Sequence, residues 1–593
     1  MCGFIGSLSE NKISEEELDK CNKNIICRGP DSKKTTFQNL NDKYFSATFN
    51  RLSILDLSNL ADQPMSTSDD NYLILFNGEI YNHQELKIDL LKKGYKFRTN
   101  HSDTESLLYL LIDKGIEAVQ LLRGQFSFVF LDKKNKTLLL ARDRVGQKPL
   151  FFTENNNSFS FSSNLISLAK LTQQNTIEES SIYDYLQYGK TISPKTVFQN
   201  IYEVKPGQIL KVNYSEDGFD LTFQKYWDLL SFYDNKKFDE DEFIELFSNS
   251  VDIRTKPDVP YATFLSGGLD STSIVKSQHD LGYEINTFSV YMGGTKFDES
   301  IYCEEVSKKF NTNHISIEIK DSLSIKNLPE LLNCLDQPYS DPSIIPTQLI
   351  SREISNYFKM AISGDGGDEL LGGYLRVQKS LFNSINQNFS NLYNYYPAHL
   401  GTGNIFLSKD QDIVTRYNSY LSDAKLLNLL GIKDNKFLDT LFKPTTFDDD
   451  YKSLMKYEYE FYLPQMMMYK VDRASMYNSV EVRSPFVDNK LIEYIFSHSY
   501  DYFDSNNQKQ VLKKYLSLDF KEEFLNRKKQ GFVFDLKDFV NSNKEFFKEN
   551  IIHSNKIPHI ETNKLSSLFK YKTRINAERI WKLFVLNYYL KQL

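Results

Sequence analysis

The stretch Phe264-Leu265-Ser266-Gly267-Gly268-Leu269-Asp270-Ser271 limits the possible folds more than any other part of the chain. Apolar, β-prone residues Tyr261–Leu265 run into a Ser-Gly-Gly turn, and a helical pattern over Ser271–His279 starts at once. A buried strand that passes directly into a helix, with another strand at Ile285–Val290, predicts a parallel, doubly wound sheet. Such a turn aims main-chain N–H groups and a helix N-terminus at an anion. The glycines let a phosphate approach the main chain, Ser266 and Ser271 offer hydroxyls, and Asp270 can hold Mg²⁺. An ordinary turn with a serine cap uses the same residue types. There is no lysine, so this is not the GxxxxGK(S/T) nucleotide loop.

A second such turn follows the apolar strand Lys359–Ile362 and reads Ser363-Gly364-Asp365-Gly366-Gly367-Asp368-Glu369-Leu370-Leu371-Gly372-Gly373-Tyr374. Asp365, Asp368 and Glu369 would repel one another unless a cation sat among them. The alternative is a solvated acidic loop that caps a helix. Asp472-Arg473-Ala474-Ser475-Met476 and Glu481-Val482-Arg483-Ser484-Pro485-Phe486-Val487-Asp488 interleave arginines with carboxylates. Those arginines can grip a substrate carboxylate bidentately or form buried pairs between helices. The basic run Arg527-Lys528-Lys529-Gln530-Gly531-Phe532 has the composition of a solvated face.

At the other end of the chain stands Met1-Cys2-Gly3-Phe4. With Met1 removed, Cys2 would carry an α-amine of pKa about 7.7–8 beside a thiol of about 8.5, a base and a nucleophile in one residue. A short start leading into an apolar strand is the plain alternative. In Phe76-Asn77-Gly78-Glu79-Ile80-Tyr81-Asn82, the Asn-Gly pair between apolar residues is a hairpin signal. Arg51 and Asp103, taken singly, read as a surface charge and a helix cap. His101 and the other histidines lack the spacing of a metal site or triad.

A chain of 593 residues exceeds what one core supports, so two or three domains are expected. Residues 1–215 read as strand-rich, with strands at Tyr72–Phe76, Gln125–Leu131 and Thr137–Ala141 and helices at Gln84–Lys93 and Thr104–Asp113, which fits two stacked sheets flanked by helices. Short strands around Ile201–Trp227, turning at Pro206-Gly207, lead to a charged stretch, Lys236–Glu242, read as an interdomain surface. From there, over residues 236–593, helices alternate with short strands, starting at Glu242–Ile253, and beyond Gln387 the pattern is mostly helical with Asn-rich surface loops at Asn386–Asn394. A net charge of −7 with interspersed signs argues against a nucleic-acid surface, and no apolar run reaches membrane-spanning length. The N-terminus has no signal-peptide pattern and the five cysteines show no paired spacing, so a cytoplasmic protein is expected.

The turn at Ser266–Ser271 resembles the pyrophosphate loop of the ATP pyrophosphatase superfamily. Together with Met1-Cys2-Gly3-Phe4, it makes nearly the whole chain resemble the glutamine-hydrolysing asparagine synthetases. The resemblance implies an α/β multi-domain fold: a four-layer αββα sandwich of the N-terminal nucleophile hydrolase type over 1–215, then a doubly wound parallel sheet and a helical C-terminal part over 236–593. It implies that Cys2 attacks glutamine and that Asn77 and Gly78 form the oxyanion hole. Glutamine would be held by Arg51, Ile54, Asn77, Gly78, Glu79 and Asp103, while Arg28-Gly29-Pro30-Asp31 would form a turn near the nucleophile.

In the second half, ATP would be bound by Leu265, Ser266, Gly267, Gly268, Asp270, Ser271, Val290, Ser363 and Gly364, and Mg²⁺ by Asp270 and Asp368. Asp365 would lie where the acyl-adenylate forms, and Lys529 would neutralise departing pyrophosphate. The substrates implied are glutamine, ATP and aspartate, and a homodimer is compatible with the sequence. One departure is specific: the best-known relatives carry Glu at the position of Asp365 and Ser at that of Gly367. This leaves open a sister amidotransferase acting on another carboxylate, such as a sugar acid. A catalytically dead binding protein on the same scaffold is the reading from a different class.

Overall fold

The computed structural model describes residues 2–155, 157–291, 298–319, 323–382, 392–407, 412–432, 450–499, 508–527, 534–558, 560 and 562–593. The first strands are β1 (Gly3–Ser9), β2 (Ser32–Asn39) and β3 (Tyr44–Arg51). They are followed by β4 (Met65–Ser66), β5 (Tyr72–Ile80), β6 (Gly124–Asp132) and β7 (Thr137–Arg142). The set continues with β8 (Phe151–Asn155), β9 (Ser158–Ser162), β10 (Tyr202–Glu203), β11 (Gln208–Ser215) and β12 (Gly218–Lys225). They form two antiparallel sheets, ordered β10-β8-β9-β1-β3-β2 and β12-β11-β7-β6-β5-β4.

The period-two side-chain pattern of these strands builds the layers. Phe4, Leu8, Phe45, Phe49 and Phe161 of the first sheet meet Leu73, Leu75, Val129, Leu131 and Leu140 of the second in one core. The opposite face of the second sheet, through Ile74, Phe76, Phe128 and Phe130, packs on Leu107, Leu108 and Leu111 of the helix Asp103–Lys114. On the far side of the first sheet, Ile5 meets Leu18 and Cys21 of the helix Glu15–Asn22. The expected αββα order is therefore present.

The Asn-Gly pair does not make a hairpin. β5 continues straight through it, pairing Asn77 with Ser127 and Gly78 with Phe126. Gly78 has φ +156°, and a Cβ there would lie 2.0 Å from the Gln125 carbonyl oxygen. The glycine serves a close approach between strands, and the apolar alternation resumes at Ile80.

The second half adds β13 (Lys236–Lys237), β14 (Ala262–Phe264), β15 (Asn286–Tyr291), β16 (Asn313–Glu318), β17 (Met360–Ile362), β18 (Glu481–Arg483) and β19 (His498–Ser499). The order β16-β15-β14-β17-β18 is parallel throughout. The helices Glu240–Arg254, Leu269–Asp280, Ser300–Phe310 and Ile344–Ser355 connect or flank these strands. The charged stretch expected as an interdomain surface instead begins with β13, paired to β19, and ends inside the helix Glu240–Arg254.

Chain direction across the sheet reverses between β14 and β17. In a doubly wound sheet that switch point opens a crevice at the carboxyl ends of the strands. The Ser266 and Ser363 turns flank it. Gly267 (φ +67°) and Gly366 (φ +90°) shape them, and a Cβ at Gly366 would lie 2.4 Å from Val487 Cγ1. The loops at Asn386–Asn394 lie largely outside the described residues, as does Lys529.

Candidate active sites

Cys2 is buried at the head of β1, and its backbone N–H donates to Asn77 Oδ1 at 3.1 Å. The other end of that amide, Nδ2, is a buried donor with no partner among the described residues. A native protein seldom leaves a buried donor unsatisfied without a use for it. Burial raises the Cys2 thiol above its ordinary value, with Arg51 opposing.

A small cavity of about 30 Å³ joins Cys2 to Arg51, Ile54, Gly78, Glu79 and Asp103; of the residues expected around glutamine, Asn77 alone is not in this lining and meets Cys2 through its hydrogen bond. The Arg51 guanidinium is held by the carbonyls of Ser58 and Asp56 and by Asp62 at 2.9 Å. Asp103 accepts the Ile80 N–H at 3.0 Å, and burial pushes its carboxyl up to about 6.

Glu481 lines the same cavity although it belongs to β18 of the other half. Its Oε1 accepts from Gln125 Nε2 at 3.1 Å and from Arg483 Nε at 2.7 Å. Arg483 Nη2 also reaches Glu79 at 2.9 Å, so one guanidinium bridges a carboxylate from each half. Burial raises Glu79, despite Arg483. Burial also disfavours charge on Glu481, but Arg483 and Lys148 oppose it and its carboxyl lies below the ordinary range.

The crevice at the switch point has a volume of about 270 Å³ and is lined by Leu265, Ser266, Gly268, Asp270, Ser271, Ser363, Gly364, Asp365 and Asp368. Ser271 Oγ is 3.2 Å from Ser266 Oγ and accepts the Ser266 N–H, closing the first turn on itself. A Cβ at Gly367 would stand 2.7 Å from Asp270 Oδ1, so a larger residue there presses on that carboxylate. In the same lining, Tyr374 Oη donates to Glu369 at 2.6 Å; burial, with Asp368 adding, lifts that carboxyl to about 7. Gly267 turns against Tyr302, and Val290 is half-buried on β15; neither joins the crevice lining.

Sequence reasoning missed two lysines here. Lys470 lines the crevice, and Lys509 contacts both Asp270 and Asp368. Neither sits in a motif, so only long-range packing reveals them. The arginine-carboxylate cluster resolves as buried ion pairs. Arg28 donates to Asp472 through two N–H groups at 2.8 and 2.9 Å and to the Cys2 carbonyl at 3.2 Å. Arg473 joins Asp472 to Asp336, both at 2.8 Å. Burial disfavours the Asp472 charge, yet Arg28, Arg473 and Lys148 hold its carboxyl below the ordinary range.

Known proteins resemble both halves. Residues 242–591 match the asparagine synthase family and residues 1–227 a glutamine amidotransferase domain. The chain is 29% identical over 583 residues to asparagine synthetase (glutamine-hydrolyzing) 1 of Bacillus subtilis (strain 168), covering 93% of this chain and 90% of that protein. It is 28% identical over 564 residues to asparagine synthetase (glutamine-hydrolyzing) 3 of the same organism, covering 90% and 87%. With asparagine synthetase (glutamine-hydrolyzing) of Zea mays it shares 29% over 398 residues, covering 64% and 61%. The crevice, the cysteine-headed sandwich and these matches agree: the chain belongs to the asparagine synthase family of ATP-dependent ligases and carries a glutamine amidotransferase domain at its N-terminus.

Proposed function

We propose that the protein is a glutamine-dependent asparagine synthetase, with residues 1–215 as the glutaminase and 236–593 as the synthetase. Cys2, freed of Met1, attacks the glutamine amide, its own α-amine carries the proton, and water clears the thioester. Asn77 Nδ2 and the Gly78 N–H bind the oxyanion. Arg51 and Asp103 hold the α-carboxylate and α-amine, with Ile54 and Glu79 completing the pocket. Its small free volume of about 30 Å³ requires the lining to part for glutamine to enter.

In the crevice, the Ser266 and Ser363 turns bind ATP, and Asp270 and Asp368 would hold Mg²⁺. Mg²⁺ characteristically takes one or two carboxylates and completes its shell with water and phosphate oxygens, which fits this donor set. Bound there, it would neutralise charge on the phosphates. Aspartate is activated beside Asp365 as β-aspartyl-AMP, and ammonia converts it to asparagine, releasing AMP and pyrophosphate. Lys529 is proposed for the departing pyrophosphate. The reading is of a cytoplasmic enzyme.

The observation that carries this proposal is the dual contact of β18. Glu481 lines the Cys2 cavity and Arg483 pairs with Glu79 of its wall, while the Arg483 carbonyl accepts the Ser363 N–H at 2.9 Å beside the crevice. Substituting Cys2→Ala should abolish glutamine-dependent synthesis and spare ammonia-dependent synthesis; equal loss of both would refute the division of labour.

One observation favours a second reading, in which the acceptor is a larger carboxylate such as a sugar acid. Asp341 and Tyr462 line both the crevice and an adjoining cavity of about 770 Å³. That volume lies in the range that accepts drug-sized molecules. ATP–pyrophosphate exchange across a panel of carboxylic acids decides between them: exchange with a uronate derivative and none with aspartate overturns the first reading.

A further inference from the structure

We propose that the Lys509 ammonium is a resident counter-ion that keeps divalent metal off the Asp270–Asp368 pair until a nucleoside triphosphate delivers it. The inference rests on the reading of the crevice as a Mg-ATP site. Lys509 Nζ lies 2.5 Å from Asp368 Oδ1 and 2.6 and 2.5 Å from the two Asp270 oxygens. The carboxylates come from the two turns that flank the switch point, so the ammonium occupies the point at which those turns converge.

The lysine is built in rather than loosely draped. It is 6% exposed and has φ +54°, a left-handed conformation that a side chain other than glycine seldom adopts. It stands directly before the helix Gln510–Leu516, which is anchored by buried Val511, Leu512 and Leu516. At Gly373 a Cβ would fall 2.0 Å from Asp368 Oδ1 and 2.5 Å from Lys509 Cε. The chain therefore leaves out a side chain where the lysine and the carboxylate meet.

Charge decides the order of events. Among the described residues, two buried carboxylates face one ammonium, which leaves a single formal negative charge. A divalent ion added beside the ammonium would reverse that charge and set two cations against each other in a poorly solvated site. Metal and ammonium therefore compete. A triphosphate brings several negative charges with its metal and can satisfy both cations. Metal affinity is thus coupled to nucleotide, and by linkage nucleotide affinity is coupled equally to metal. The metal-free turns stay together because Lys509 cancels most of the carboxylate repulsion.

Mn²⁺ binding to the full-length protein, followed by electron paramagnetic resonance, tests this without turnover. The site is identified as the Mn²⁺ signal lost in Asp368→Asn. In the unsubstituted protein, α,β-methylene-ATP should tighten Mn²⁺ at that site on the order of tenfold or more. In Lys509→Met, with folding checked by thermal melting, Mn²⁺ alone should bind with an affinity close to that of the analogue-bound protein. If the unsubstituted, nucleotide-free protein binds Mn²⁺ at that site as tightly as with the analogue, the inference is overturned whatever the variant does. If neither the analogue complex nor Lys509→Met binds Mn²⁺ there, the Mg-ATP reading falls and the inference with it.

Discussion

Asn77 offers the sharpest separation of catalysis from stability in this protein. Its Oδ1 accepts the Cys2 N–H at 3.1 Å, while Nδ2 is buried with no partner among the described residues. In Asn77→Ala the chain loses one hydrogen bond, worth about 1 kcal/mol, and sheds an unsatisfied buried donor whose cost is about 1–3 kcal/mol. These oppose each other, so unfolding free energy should stay within about 1–2 kcal/mol of the unsubstituted protein. Catalysis should not follow that near-cancellation. Loss of one oxyanion donor typically lowers kcat by about 10²–10³, or about 2.7–4 kcal/mol. Glutamine hydrolysis, measured as glutamate release, should fall by that factor with a small change in KM. Ammonia-dependent synthesis should be unchanged. Asn77→Asp, which keeps the acceptor for Cys2 and puts a carboxylate in place of the donor, should fall at least as far. A loss under about tenfold in Asn77→Ala, or parallel loss of the ammonia-dependent reaction, would refute the assignment of Asn77 as the oxyanion donor.

Other predictions follow from burial and backbone geometry. Asp184 is 2% exposed, its Oδ2 has no partner among the described residues, and burial lifts its carboxyl to about 7. The folded state then binds a proton that the unfolded state has released, so stability falls as pH rises from about 4 to 7. Asp184→Asn should melt higher than the unsubstituted protein at pH 8, and the gap should vanish near pH 4; a pH-independent gap would count against this account. At Gly366, alanine meets Val487 Cγ1 at 2.4 Å with φ +90°, so Gly366→Ala should cost about 1–3 kcal/mol in denaturant unfolding and depress ammonia-dependent synthesis more than glutamine hydrolysis. Asp472→Ala leaves Arg28 and Arg473 buried without their shared carboxylate, and should lose about 3–5 kcal/mol in the same assay; a loss under about 1 kcal/mol would show that water reaches the pair.

What could be read in the sequence was whatever the chain encodes over short distances. The Ser266 turn announces itself because strand, glycines and helix are contiguous, and the helices at Asp103–Lys114 and Glu240–Arg254 follow from apolar spacing within a few turns. The Asn77-Gly78 pair misleads because the same dipeptide suits a hairpin and a close strand approach, and only the Gln125 carbonyl opposite distinguishes them. Lys509 was illegible because its meaning depends on Asp270, 239 positions away. Arg483 and Glu79 are 404 apart, so a three-residue strand in the second half gave no hint that it borders the cysteine. The Asp472 and Arg473 motif was visible, but whether it grips a substrate or a neighbouring helix is a question of burial, which spacing does not answer.

Those buried pairs bear on why the two halves should work as one. Arg28 to Asp472, Arg123 to Asp488, and Arg483 to Glu79 all cross from one half to the other, and in each pair both side chains are at least nine-tenths buried. Such pairs add little stability over a well-packed apolar seam, because desolvation offsets most of the attraction. Their geometry is another matter. An apolar seam tolerates sliding, whereas a buried ion pair strands a charge if it shifts by a fraction of its length. Arg28 also donates to the Cys2 carbonyl, so the contact that fixes the seam also fixes Cys2, the proposed nucleophile. Arg483 does the equivalent on the other side, its side chain on Glu79 and its carbonyl on Ser363. A rotation of one half against the other would thus break contacts at both sites at once. On the proposed function, ammonia released at Cys2 would emerge at a fixed position relative to the crevice, and that fixed relation is what a two-site ligase requires.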